Sequence, residues 1–273
     1  QLSRVLVPLD PAYRVDLPRG PDVRNACEPV WGPSDGAATV VPLRELLGMI
    51  GAAQWREKGI EVPGLPGRIH PHYGVFTPTR GDYTTLLEQA PSPAGKRVFD
   101  VGTGTGVLGF LLLARGAKEV VGTDLEPRAV RCANENAERL GYGDRFRAIE
   151  ADLFPEGTAD LIVCNPPWVP ERPRTALDRA VFDPGGRFLA QFLAGMKEHL
   201  APGGQAWLIL SDLPELLGLR APGELASAFA GAGLKIAWTR SVAPTHGRVR
   251  EEDDPLHQAR ARERTTMYAL EPA

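Results

Sequence analysis

Two hydrophobic spacings take turns along this chain, and each change of spacing marks the start of a new element. Short apolar runs lie at Val98–Val101, Glu119–Asp124, Phe146–Asp152, Ala159–Cys164 and Gln205–Leu210. Runs of this length, bounded by turn residues, read as strands, several of them buried. Between them the apolar residues return every third or fourth position. Val107–Ala114, apolar at nearly every position, reads as a helical segment that stops near Gly116. Ala129, Val130, Ala133, Ala137 and Leu140 form another that ends at Gly141, and Phe188, Leu189, Phe192, Leu193, Met196 and Leu200 form a third that ends at Ala201-Pro202-Gly203-Gly204. These are helical stripes with glycine stops. Strand and helix mostly in alternation predict an α/β fold built on a parallel sheet. The pattern then predicts a helix over Glu224–Gly233, a strand over Lys235–Thr239, a long charged loop over Thr245–Arg264 and a closing strand over Thr265–Leu270.

The N-terminal quarter has a different texture. Arg4–Leu9 reads as an edge strand, and the proline-rich residues through Trp31 to Gly36 read as turns. Pro42 opens a helix whose apolar positions are Leu43, Leu46, Leu47, Ile50 and Ala53, closed by Gly59. Glu61–Gly67 is a proline-glycine linker. This divides the chain into an extension over 1–69, irregular apart from one helix and suited to substrate recognition or a lid, and a main domain over 70–273. The main domain begins with a helix carrying Tyr83, Leu86, Leu87 and Ala90, with Thr79 as N-cap and Pro91–Gly95 as its end.

Composition narrows the class. With 43% hydrophobic and 24% charged residues in 273, the chain is an ordinary globular protein. A net charge of −3 supplies no overall basic field for capturing nucleic acid. The three cysteines, Cys27, Cys132 and Cys164, are too scattered for a disulfide framework or a zinc site and read as core residues. His70 and His72 have no evident third ligand nearby, so no metal is expected. No apolar run approaches the ~18 residues of a membrane span. Together these features give a cytoplasmic setting as the expectation. The chain begins at Gln1 rather than Met, which is compatible with a processed leader.

The chemistry gathers between residues 98 and 168. The first strand runs into Gly102-Thr103-Gly104-Thr105-Gly106, and a helix follows at once. Glycines there permit a tight turn and close approach to a ligand, with helix N–H groups facing it. Asp124 ends the next strand, 20 positions after Gly104, close to the spacing at which an acid reaches ribose hydroxyls. It reads equally as a cap for the helix behind Glu126-Pro127. The strand Ala159–Cys164 ends in Asn165-Pro166-Pro167-Trp168. Proline holds its predecessor extended, and neither proline offers an N–H, so this corner presents mainly acceptors. An Asn165 amide and a Pro166 carbonyl suit a planar group bearing NH2, with the Trp168 indole as a stacking face; the alternative is a rigid turn with a core tryptophan. A nicotinamide dehydrogenase would share the glycine loop and Asp124 but has no use for the Asn-Pro-Pro-Trp corner. A binding module without catalysis also stays open.

With Asp100-Val-Gly-Thr-Gly-Thr-Gly106, Asp124, Ala151-Asp152-Leu153-Phe154 and Asn165-Pro-Pro-Trp168 in hand, the chain resembles class I S-adenosylmethionine-dependent methyltransferases. Within them it is similar to the methyltransferase small domain group, which includes the HemK-like release-factor glutamine methyltransferases. The resemblance implies a Rossmann-like, doubly wound seven-stranded sheet in the order 3-2-1-4-5-7-6, with the last strand antiparallel. It implies S-adenosyl-L-methionine as cofactor and methyl transfer to nitrogen. Gly102, Thr103, Gly104, Thr105 and Gly106 would wrap the methionine part, and Asp100 would position its amino group. Asp124 would hold the ribose, with Leu125 beside it, and Asp152 and Leu153 would border the adenine. Arg80 either meets the cofactor carboxylate or is a surface arginine. Asn165, Pro166, Pro167 and Trp168 would grip the acceptor, and Asn165 would also touch the cofactor. Tyrosine is commoner than tryptophan at the position of Trp168. The acceptor is open between a protein or peptide glutamine, a nucleic-acid base and a small molecule; the extension does not resemble the recognition domain of the release-factor enzymes.

Overall fold

The computed structural model describes residues 4–76, 81–167, 183–243 and 257–273. Its contacts divide the chain into two units: one holds the chain through Ile60 together with His70–Gly74, the other Glu61–Ile69 and everything from Val75 onward.

The smaller unit contains β1 (Leu6–Leu9), α1 (Arg24–Trp31), β2 (Thr39–Pro42) and α2 (Leu43–Lys58). β1 and β2 pair antiparallel from Leu6↔Pro42 to Leu9↔Thr39. Leu9, Tyr13, Val23, Ala26, Cys27, Val41, Leu46 and Met49 form its core. The turns expected through Trp31 are corrected here, because residues 24–31 are helical. Asp22 supplies the reason: its carboxylate accepts the Arg24 N–H at 3.0 Å and pairs with the Arg24 guanidinium at 2.6 Å, which ties down the first turn. Pro29 inside this short helix hides it from a reading by pattern. Two short strands, β3 (Ile60–Glu61) and β4 (Arg68–Ile69), bracket the linker stretch.

The larger unit runs α3 (Asp82–Gln89), β5 (Arg97–Val101), α4 (Val107–Ala114), β6 (Glu119–Asp124), α5 (Pro127–Leu140), β7 (Phe146–Glu150), β8 (Ala159–Cys164), α6 (Arg187–Gly195), β9 (Leu200–Ser211), α7 (Leu213–Leu216), α8 (Glu224–Gly231), β10 (Leu234–Val242), α9 (His257–Arg262) and β11 (Thr265–Pro272). Its seven-stranded sheet has the order β10-β11-β9-β8-β5-β6-β7. Numbered within the sheet, this is 3-2-1-4-5-7-6 read from β7, and β11 is antiparallel to both neighbours. The Rossmann-like expectation holds. The charged loop expected over 245–264 is corrected at its end, where His257–Arg262 forms α9; residues 244–256 lie outside the described residues.

The central strands are buried on both faces, which is why their sequences are continuous apolar runs. On one face Phe99, Val101, Ile162, Cys164 and Leu208 pack with Phe192, Leu193 and Met196, and with Phe229 of α8. On the other, Val107–Leu113 of α4 is buried throughout, and Phe110 meets the Phe146 ring at 4.6 Å between centroids. Each fully buried side chain of this kind contributes about 1.5–3 kcal/mol. The connection from β7 to β8 carries no helix, and a cleft of about 320 Å³ opens there between Val121, Arg147, Ile149 and Phe154. Among the described residues no helix is long and apolar enough to cross a membrane, and no group of His, Cys, Asp and Glu could hold a metal ion.

Candidate functional site

β5, β6, β7 and β8 are parallel, and their carboxyl ends converge on the glycine loop. Asp100, one residue from the end of β5, is only 1% exposed. Its Oδ2 accepts the Thr103 hydroxyl at 2.7 Å and the Gly109 N–H at 3.1 Å. One N–H of the α4 amino end is therefore taken by a protein carboxylate. Oδ1 is buried with no hydrogen-bond partner, and so is the Thr105 hydroxyl. Burial pushes the Asp100 carboxyl up to about 6; the two donors on Oδ2 oppose this, and Asp124 adds a smaller upward push. The same burial, with Asp100 nearby, raises the Cys164 thiol well above its ordinary value.

The loop itself is held by β6. Gly102, Gly104 and Gly106 all have left-handed φ, at 71°, 55° and 87°. The Thr103 N–H donates to the Thr123 carbonyl at 2.8 Å, and the Gly106 N–H donates to Thr103 O at 2.8 Å. A Cβ on Gly104 would stand in open space, whereas one on Gly106 would lie 2.4 Å from the Phe110 ring. The loop is thus sealed at its helix end and open at Gly104. Asp124 is held through both oxygens: Oδ2 accepts the Gly104 N–H at 3.0 Å, and Oδ1 accepts the Glu126 N–H at 3.0 Å; the N-cap of α5 is Glu126 rather than Asp124, with no side-chain cap bond. Burial raises its carboxyl, against the lowering effect of these donors. Leu125, next to it, is 59% exposed.

The ladder between β5 and β8 pairs Val101 with Cys164. Gly102 and Asn165 therefore leave neighbouring strands at the same level, which sets the double-proline corner beside the glycine bend. Asn165 and Pro167 are half-buried and Pro166 is buried. Trp168, Arg80 and Thr79 lie outside the described residues, and the N-cap expected at Thr79 is corrected to Gly81, the residue before α3.

Beyond β7, Asp152 is exposed and faces Arg187 at 3.9 Å, while Leu153 is half-buried with φ at 73°. Two neighbours of the site carried no signal of it in the sequence. Phe188 read only as part of a helical stripe, yet a Cβ on Gly102 would lie 3.8 Å from its ring. Thr123 read only as a strand residue, and its hydroxyl donates to the Leu153 carbonyl. Asp183 leads into α6: its carboxylate accepts the Phe188 and Leu189 N–H groups at 2.9 and 3.2 Å.

Comparison with known proteins agrees with this geometry. The sequence model of the family described as "Methyltransferase small domain" matches residues 66–216. The chain belongs to the methyltransferase small domain family. A protein of Methanocaldococcus jannaschii, provisionally named a protein N5-glutamine methyltransferase, is 33% identical over 56% of this chain and 80% of its own. The release factor glutamine methyltransferase of Cereibacter sphaeroides is 38% identical over 45% of this chain and 49% of its own. The tRNA1(Val) (adenine(37)-N6)-methyltransferase of Shewanella loihica is 29% identical over 52% of this chain and 62% of its own. Against the last two, the match spans about half to three fifths of the relative's length. Among solved structures, one provisionally titled an RNA methyltransferase from Pyrococcus horikoshii shares the fold, with a TM-score of 0.51 and 20% identity over 77% of this chain and 94% of that one.

As a methyltransferase small domain protein, the chain is an S-adenosylmethionine-dependent methyltransferase. Its residues fit that cofactor. A sulfonium amino acid brings an ammonium, and the buried, partnerless Oδ1 of Asp100 is an acceptor in want of a cation. The space at Gly104 admits a chain against the backbone, and Asp124, with each oxygen holding one N–H, keeps lone pairs for hydroxyl donors.

Proposed function

We propose that this protein methylates a planar, NH2-bearing nitrogen, and that the acceptor is the carboxamide of a glutamine in a protein or peptide. The observation that carries the reading is the level pairing of Val101 with Cys164, which delivers Asn165 and Pro166 to the rim of the glycine loop. Bound S-adenosylmethionine supplies an electrophilic methyl group. The chain supplies acceptors: the Asn165 side-chain oxygen and the Pro166 carbonyl take hydrogen bonds from the two N–H groups of the acceptor. An amide nitrogen is a poor nucleophile because its lone pair is delocalised. Accepting hydrogen bonds from its N–H groups raises electron density at nitrogen as the N–C bond forms, which is stabilisation aimed at the transition state; neither oxygen is basic enough to keep a proton, so the one displaced from nitrogen passes to solvent. Holding the nitrogen in line adds to this, since orientation alone is worth roughly 7–11 kcal/mol in well-arranged reactions. Gly102, Thr103, Gly104, Thr105 and Gly106 wrap the amino-acid part of the cofactor, Asp124 with Leu125 holds the ribose, and Asp152 with Leu153 borders the base.

Two features favour a protein acceptor over a nucleic acid. The net charge of −3 gives no general attraction to phosphates, and two of the similar proteins are named for glutamine. The experiment is transfer of a labelled methyl group to peptides carrying glutamine or asparagine and to adenine-containing oligonucleotides. Label on glutamine peptides alone supports the proposal; label confined to oligonucleotides refutes the acceptor and leaves nitrogen as the target. Asn165→Ala should lower kcat by about 10²–10³, the loss typical of one transition-state hydrogen bond.

A further inference from the structure

β6 ends in Gly122-Thr123-Asp124, and this tripeptide grips two segments at once. Toward the glycine loop, the Thr123 carbonyl accepts the Thr103 N–H at 2.8 Å and Asp124 accepts the Gly104 N–H at 3.0 Å. Toward the segment after β7, the Asp124 carbonyl accepts the Ala151 N–H at 3.2 Å, and the Thr123 hydroxyl donates to the Leu153 carbonyl. Thr123 is 1% exposed, so this hydroxyl has no water to turn to.

Leu153 is the residue that needs holding. Among the described residues only Tyr13 and Leu153 have positive φ without being glycine. A left-handed backbone costs a side-chain-bearing residue roughly 1–2 kcal/mol, and such strain persists only where the surroundings over-determine it. Leu153 also packs its side chain on the core beneath the sheet. A hydrogen bond to its carbonyl opposes the strain from the other side. Without it, the backbone is free to return to negative φ, which swings Asp152 and Leu153 off their present line.

We propose that Thr123 is a positioning residue for cofactor binding: by clamping the strained Leu153 carbonyl, its hydroxyl fixes the edge on which the adenine rests. This stands on the reading that Asp152 and Leu153 border the base. The same residue holds the glycine loop through its carbonyl, so one strand end sets the separation between the two halves of the cofactor site.

The test is calorimetric binding of S-adenosylhomocysteine to the full chain, with melting of the free protein measured in parallel. Thr123→Val is expected to weaken binding about three- to tenfold, the worth of one hydrogen bond, and Thr123→Ala to repeat the loss. Thr123→Ser keeps the hydroxyl and should bind within about twofold of the parent. Leu153→Gly removes the strain, so adding Thr123→Val to that variant should cost less than about twofold. Thr123→Val binding like the parent, or losing the same factor with Gly at 153 as with Leu, overturns the proposal: a general structural role would give the same factor in both. If Thr123→Val, Leu153→Gly and Asp152→Ala all leave affinity unchanged while Asp124→Ala abolishes it, the adenine does not lie on this edge, and the underlying reading fails with the proposal. A parent chain that binds no S-adenosylhomocysteine fails at the cofactor itself.

Discussion

Asp100 has one oxygen committed to the loop and one left over, and its protonation follows from that. Its folded value, about 6, stands above the ordinary 3.8. In the free protein this group therefore lends stability below about pH 4, and that contribution is lost as pH rises through 6. An ammonium ligand needs the ionised form, so cofactor binding runs the opposite way. Affinity for S-adenosylhomocysteine should be level above about pH 6 and fall by up to tenfold per unit below it. Asp100→Asn should flatten the profile at a low affinity, which calorimetry across pH reads directly. The glycines divide similarly by surroundings. Gly106→Ala meets both a left-handed backbone and the Phe110 ring and should cost about 2–5 kcal/mol of stability. Gly104→Ala meets open space and should cost only the backbone's roughly 1–2 kcal/mol. Denaturant melts of the two variants separate them.

At the scale of elements, what could be read in advance depended on how locally each structure is encoded. β5, β6 and β8 were legible because burial on both faces writes a continuous apolar run into each. The glycine loop was legible because left-handed φ calls for glycine. Leu153 has the same backbone and no such mark, because Thr123 reaches it from 30 residues away. Helix α1 was missed because Pro29 breaks its pattern while Asp22 secures its start. Helix α6 is secured at its start by a residue outside its apolar stripe: two N–H groups at its amino end rest on the Asp183 carboxylate. Asp183→Ala should destabilise the protein by about 0.5–2 kcal/mol, visible as a lower denaturant midpoint with an unchanged slope.

At the scale of the whole molecule, the sheet order was available only through family resemblance, since strand order is a matter of long-range pairing that periodicity does not record. The acceptor is less legible still. On the proposed reading its recognition falls to the corner after β8, and the similar proteins are named for glutamine in two cases and adenine in another. The cofactor offers a global test that does not depend on the acceptor. A ligand at a hundred times its dissociation constant stabilises the folded state by about 2.7 kcal/mol. For a protein of this size that is a rise of several degrees in melting temperature. S-adenosylhomocysteine should produce it and NAD should not, which sets this site apart from that of a dehydrogenase.

The pairing of Val101 with Cys164 works as a ruler. Strand residues are spaced by about 3.3 Å, and each step reverses the side toward which a side chain points. Removing a single residue from β8 would draw the asparagine back by one such notch and turn it to the far side, while the donor's cradle on β5 and β6 kept its shape. Such a shortened chain should still load its cofactor and yet transfer nothing.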